Sequence, residues 1–214
     1  EGRPTERFED VVGCEEAKIQ LARVVSALRF PDVYRSWGAK APRGVLLDGD
    51  PGTGKTFLAR AVAGETKATF YKVHPVDVMH SLFGRTERFI NAIFDEAGDH
   101  SPAIIFFDEI DGLAGKRDHA SELRGSMITT MLVRMQGIEE QDANVVVIAA
   151  TNRKNALDDA LLRSGRFTIK AHVPRPEAHH RLIMARKQID AAERIAGQEL
   201  FISDIDSMGR SVSQ

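Results

Sequence analysis

LLDGDPGTGKTFLAR, residues 46–60, decides how the rest of the chain is read. An apolar pair leads into Gly49, Gly52 and Gly54, then Lys55 and Thr56, then a helix-like run. Gly49 to Thr56 fits the pattern G-x-x-x-x-G-K-[ST] without a mismatch. Each part has a physical reason. Glycines let successive backbone N–H groups turn onto phosphate oxygens with no Cβ in the way. A helix opening near Gly54 adds free N–H groups and the positive end of its dipole. Lys55 is then expected against the β- and γ-phosphates, and the Thr56 hydroxyl on Mg²⁺. A glycine-rich turn with a surface lysine would carry the same letters. The apolar strand before this loop and the helix after it favour the phosphate reading.

Outward from the loop, short apolar runs alternate with amphipathic ones. The runs predict strands at 44–48, 69–73, 103–107, 144–150 and 168–173. Helices are expected at about 15–29, 54–64, 85–98, 122–135 and 157–163. AIIFF and VVVIAA are continuous rather than alternating, as strands buried on both faces are. The alternation implies a mainly parallel sheet with helices on both sides, binding ligand beyond the carboxyl ends of its strands. After VPRPE the pattern becomes helical, over 177–195, with Ser203 as a plausible N-cap of another helix. This divides the chain into a large α/β domain, 1–175, and the beginning of a helical one, 176–214.

Composition narrows the function. With 43% hydrophobic and 28% charged residues in 214, the chain can bury one sizeable core. A net charge of -2 gives no basic excess for nucleic acid or an anionic membrane. No run of about 18 apolar residues is present, so no membrane span is expected in this chain. The single cysteine, Cys14, fits a cytoplasmic or other reducing compartment. The chain opens on Glu1 rather than Met and reads as a fragment.

A phosphate cradle needs a metal carboxylate and, for hydrolysis, a base. IIFFDEID offers both. Asp108 ends a buried strand, so its carboxylate should emerge near Thr56 and hold Mg²⁺ through water. Glu109 stands ready to polarise the attacking water. Asp111 reads equally as a turn acid and as a functional one. The strand NVVVIAATN ends at Asn152, whose amide can donate and accept near the γ-phosphate without adding charge.

Taken together, FEDVVGCEEAK, GVLLDGDPGTGKTFLARAVAGE, PAIIFFDEID, VVVIAATN and LDDALLRSGRF resemble, in order, the signatures of AAA+ ATPases of the classical AAA clade. VVGCEEAK and AVAGETK are most similar to the FtsH-type ATPase module. The resemblance covers roughly Phe8 to Val212. It implies a five-stranded parallel, Rossmann-like P-loop NTPase sandwich followed by the start of a helical lid. It also implies ATP and Mg²⁺ as cofactors and a homo-oligomeric ring, usually a hexamer, that pulls polypeptide through its pore. Carried over residue by residue, Val12 and Gly13 match the backbone contact to adenine, and Pro51, Gly52, Thr53, Gly54, Lys55, Thr56 and Phe57 the phosphate loop. Thr56 and Asp108 match the metal positions, Glu109 the catalytic acid, and Asn152 the sensor amide. Arg163 and Arg166 match the arginine fingers that act on the neighbour's nucleotide.

Several positions depart from that pattern. The pore loop reads Leu82-Phe83-Gly84, with the aromatic residue second, followed by Arg85. GRFTI replaces GRFDR at the finger region, Thr129-Thr130 an asparagine-glutamine pair, and Arg186 a lid histidine. Asp50 puts a carboxylate inside the phosphate loop, where it should repel polyphosphate unless it points outward or pairs with a cation. None of the seven histidines is followed by Glu, so the H-E-x-x-H of the FtsH protease half is not in this chain. Relatives of this type are often tethered to a membrane, which allows a place at its inner face through other segments. The expected activity is ATP hydrolysis driving polypeptide unfolding. The alternative is a nucleotide-binding AAA subunit with a structural role and little turnover. A nucleic-acid-handling relative would need a basic-aromatic stripe that the chain lacks.

Overall fold

The computed structural model describes residues 2–74, 85–114, 120–141, 144–153, 155, 157 and 166–196. The chain divides into two compact units, Glu1–Pro174 and Arg175–Gln214. In the first, β1 (Gly44–Asp48), β2 (Thr69–Val73), β3 (Ala103–Phe107), β4 (Val145–Thr151) and β5 (Ile169–His172) form one sheet in the order β2-β3-β4-β1-β5. Every pairing is parallel. The helices are α1 (Glu15–Arg29), α2 (Pro31–Ser36), α3 (Lys55–Thr66), α4 (Arg85–Asp99) and α5 (Ala120–Gln141). A 3₁₀ turn spans Ile110–Ala114. In the second unit, α6 (Ala178–Ala196) is the described element, with Leu182 and Ile183 exposed.

The period of two along each strand builds two cores. Val45 and Leu47 of β1 join Ile104, Phe106, Val146 and Ile148 on the face covered by α1 and α3. Leu46 joins Ile105, Phe107, Val147 and Ala149 on the face of α4 and α5. Both faces of β3 and β4 are therefore dry, which is why their sequences do not alternate. Helix α1 supplies Ala17, Leu21, Val24 and Leu28 at spacings of four, three and four, one buried stripe. Burying each of its larger side chains contributes about 1.5–3 kcal/mol.

The strands lie within a residue of expectation, as do the starts of α1, α3 and α4. Helix α5 runs longer than the expected 122–135, through Gly137 to Gln141. Ile138 stays buried beyond that glycine, and its packing outweighs a helix cost of about 1 kcal/mol. Helix α2 was not foreseen. It has Pro31 in its first turn but buries no residue, so it carries no amphipathic signal. The helix expected at 157–163 and the one after Ser203 lie outside the described residues, apart from buried Leu157.

The segment before α1 is strapped across α3. The Phe70 N–H donates to the Gly2 carbonyl at 2.9 Å, and the Phe8 N–H to the Glu65 carboxylate at 3.1 Å. Arg60 pairs with Glu6 at 2.7 Å, and this bond holds the Glu6 carboxyl below its usual range. This strap delivers Val11 into the core that also contains Leu58 of α3, so Val12 and Gly13 follow from a fixed point.

At the amino edge of the sheet, Gly44 opens β1. A Cβ there would lie 2.0 Å from the Arg166 carbonyl oxygen and 2.8 Å from Met135 Cε. Backbone cannot yield as a side-chain tip can. Gly44→Ala is expected to destabilise the domain by about 2–3 kcal/mol, read as a lower denaturant midpoint with unchanged slope. A midpoint equal to wild type would show that the Arg166 segment shifts freely.

Candidate nucleotide site

The carboxyl ends of β1, β3 and β4 bring three sequence-distant segments together. From β1 the chain enters the loop at Gly49 and starts α3 at Lys55. Gly52 and Gly54 have φ of 77° and 90°, and a Cβ on either would meet nothing within 4 Å. Conformation rather than crowding therefore selects glycine, and the loop's concave side stays open to the backbone. The Leu58 N–H already donates to the Gly54 carbonyl at 2.9 Å. The N–H groups of Lys55, Thr56 and Phe57, in the first turn, have no intrahelical acceptor and suit an anion. Pro51 is exposed, Thr53 is buried with its hydroxyl donating to the Asp50 carbonyl at 2.9 Å, and Phe57 is 41% exposed.

Lys55 is 8% exposed, and its ammonium donates to the Gly49 carbonyl, the Asp50 carbonyl and Asn152 Oδ1, each at 2.8 Å. Burial pushes its pKa down, while Asp108, Asp111, Asp50 and Asp48 push it back up. Asp50 is exposed at the loop, and its charge favours the Lys55 cation.

Asp111 has a definite task. Its Oδ1 accepts the Thr151 hydroxyl at 2.9 Å and the Asn152 N–H at 3.2 Å, while Thr151 Oγ1 accepts the Arg153 N–H at 2.9 Å. It ties down the Asn152 backbone, while the Asn152 Oδ1 accepts from Lys55. Sequence left Asp111 ambiguous because its partner is forty positions away. Asp108 leaves β3 with its N–H on the Val73 carbonyl at 2.9 Å, and its Oδ2 accepts the Thr56 hydroxyl at 3.3 Å. One carboxylate and one hydroxyl fit Mg²⁺, which binds through few protein oxygens together with phosphate and water. Glu109 is exposed, with φ of 54°. A non-glycine residue in that region costs of order 1–3 kcal/mol, strain that is found concentrated at functional sites.

Two contacts had no sequence signal. Lys72 of β2 lies 3.1 Å from Asp108 Oδ2. His172 Nδ1 lies 2.8 Å from Asp48 Oδ2, where β1 and β5 pair Asp48 with His172 in register. A lysine inside YKV and a histidine inside KAH read as outward strand positions until the neighbouring strand is known.

Gly13, buried with φ of 75°, and half-buried Val12 precede α1, whose N-cap Cys14 has φ of 59° and no side-chain cap. Burial raises the Cys14 thiol pKa. Arg166 is half-buried at the amino edge, beside Gly44, and does not join the cluster around Lys55. Arg163, Leu82 and Phe83 lie outside the described residues. Thr129 is exposed and Thr130 half-buried on α5, and Arg186 is exposed on α6.

Residues 45–175 match the family described as "ATPase family associated with various cellular activities (AAA)". The chain belongs to the AAA ATPase family. Among curated relatives, it is 42% identical over 192 residues to "ATP-dependent zinc metalloprotease FtsH 1" of Thermomicrobium roseum, covering 86% of this chain and 29% of that protein. It is 45% identical over 181 residues to "ATP-dependent zinc metalloprotease FtsH 2" of Sphaerobacter thermophilus, 82% of this chain and 28% of that protein. The FtsH of Leptotrichia buccalis is 40% identical over 189 residues, 86% of this chain and 24% of that protein. The AAA module thus spans only a quarter to three-tenths of these relatives. It is an FtsH-like ATPase module. No helix among its described residues is long and apolar enough to cross a membrane.

Proposed function

We propose that the chain binds MgATP and hydrolyses it to ADP and phosphate as the motor of a ring-forming unfoldase or AAA protease. The observation that carries this reading is the convergence of Lys55, Asn152, Thr56 and Asp108 at one sheet edge. The loop N–H groups and Lys55 would hold the β- and γ-phosphates. Thr56 and Asp108 would hold Mg²⁺, which when bound neutralises charge on those phosphates. Glu109 takes a proton from the attacking water as its oxygen bonds to the γ-phosphorus. The bond from that phosphorus to the bridging oxygen breaks, and ADP leaves with the electron pair. Asn152, its backbone tied down by Asp111, orients the water or the γ-phosphate.

The place of Arg166 supports a shared site. It lies beside the first residue of β1, and the phosphate loop begins after the last. A strand of five residues is about 16 Å long, more than an arginine side chain spans. Arg166 acting on phosphate would therefore act on a neighbour's, in a homo-oligomeric ring such as a hexamer, with Arg163 as its companion by the family resemblance alone. Polypeptide passing the ring's pore is the proposed substrate, with Val12 and Gly13 contacting adenine and residues 176–214 beginning the lid. By likeness to FtsH, the whole protein would work in a reducing compartment, at a membrane's inner face where other segments tether it.

The test is steady ATP turnover by the assembled protein. Glu109→Gln is expected to lower it about a hundredfold while nucleotide affinity is kept. Wild-type turnover no faster than the variant would favour a nucleotide-binding subunit with a structural role.

A further inference from the structure

The acid placed to hold the metal has a second cation against it. Lys72 is on β2, an edge strand whose register with β3 sets Lys72 opposite Phe106 and Val73 opposite Phe107. Asp108 is the next residue along β3's path, tied by its N–H to the Val73 carbonyl. This pairing carries the Lys72 side chain along the sheet edge, and its ammonium reaches Asp108 Oδ2 at 3.1 Å. The same oxygen accepts the Thr56 hydroxyl. Asp108 is largely shielded, its side chain 15% exposed, whereas Lys72 is 42% exposed.

We propose that Lys72 is a positioning residue that competes with Mg²⁺ for Asp108 and thereby sets the magnesium dependence of nucleotide binding. An ammonium paired with that oxygen at 3.1 Å stands where a hydrated divalent ion must also approach. It adds a positive charge where another positive charge must arrive. The four-carbon stem is flexible and reaches solvent, so the ammonium can swing away when the ion binds. Breaking the pair is then part of the cost of metal entry, and the magnesium requirement rises by that amount. Until then Lys72 keeps the shielded Asp108 carboxylate paired, with its rotamer facing Thr56.

The proposal rests on reading Asp108 as the metal carboxylate, and the experiment separates the two. Binding of a fluorescent ATP analogue to the 214-residue chain is measured by anisotropy across a magnesium concentration series, starting in chelator. No turnover is read. Wild type should bind more tightly as magnesium rises. Lys72→Ala should reach its half-maximal gain at roughly three- to fivefold lower magnesium, the scale of a partly exposed ion pair. Lys72→Arg, which keeps the charge, should stay near wild type. A Lys72→Ala midpoint equal to or above wild type overturns the proposal. So does a loss of chelator-state affinity at an unchanged midpoint, because the ammonium would then act on phosphate. Wild type that binds the analogue equally with and without magnesium sinks the Asp108 assignment itself, and the Lys72 proposal with it. Lys72 is partly exposed on an edge strand, so Lys72→Ser provides a second, uncharged replacement with the same expected midpoint shift.

Discussion

Arg166→Ala is expected to lower ATP turnover by the assembled protein about a thousandfold, with nucleotide affinity within about threefold of wild type, because an arginine finger would act on the transition state rather than the ground state. Geometry makes the asymmetry sharp. Arg166 packs its backbone against Gly44 at the amino edge, whereas Lys55, Thr56 and Asp108 stand at the carboxyl edge. In a single subunit the guanidinium cannot reach the phosphates it would stabilise. A planar, permanently charged fork suits charge spread over three equatorial oxygens, so lysine should not substitute well. Mixing Arg166→Ala subunits with Glu109→Gln subunits is the decisive measurement. Some sites in the mixed ring combine an intact Glu109 with a neighbour's intact Arg166, and turnover should partly return. A mixture no faster than either variant alone would end the shared-site reading.

Lys55→Ala should weaken ATP binding about a thousandfold, roughly 4 kcal/mol, with the fold retained. The ammonium is buried and makes three hydrogen bonds, to two loop carbonyls and Asn152. Removing it takes away the cation meant for the phosphates and leaves Asn152 Oδ1 without that donor. The loop would also lose the tie between its entry at Gly49 and the sensor strand. Far-ultraviolet circular dichroism should match wild type, because the core beneath is formed by Leu58, Ala59 and Val62. Calorimetric titration giving an unchanged dissociation constant would refute the cradle. Lys55→Arg should not rescue, since the larger fork must fit where a point charge is enclosed by carbonyls.

Much of this was legible along the chain. Continuous apolar runs mark β3 and β4 because burial on both faces leaves no polar alternation to see. The phosphate loop is legible because a few backbone N–H groups and one lysine must be contiguous to enclose phosphate. Asp108 and Glu109 follow because an acid directly after a buried strand has one exit, the sheet's carboxyl edge. Helix α2 was invisible because it buries nothing, and the length of α5 because Gly137 reads locally as a stop. Asp111 stayed ambiguous because a local turn and a distant clamp on Asn152 call for the same carboxylate.

Sequence alone determined the groups on offer: the glycine-rich loop with Lys55 and Thr56, the acids after β3, Asn152 after β4 and the alternation that makes a parallel sheet. Only the tertiary structure decided which of those groups meet. Strand order puts β3 and β4 beside one another and β2 at the edge, so Lys72 lands on Asp108 and Asp111 on Asn152. It also sets Asp48 against His172 and holds Arg166 at the far edge from Lys55. The reason is physical. Period and turn chemistry are local properties of a chain, whereas a hydrogen bond between residues forty or ninety-seven positions apart exists only once the sheet order is chosen.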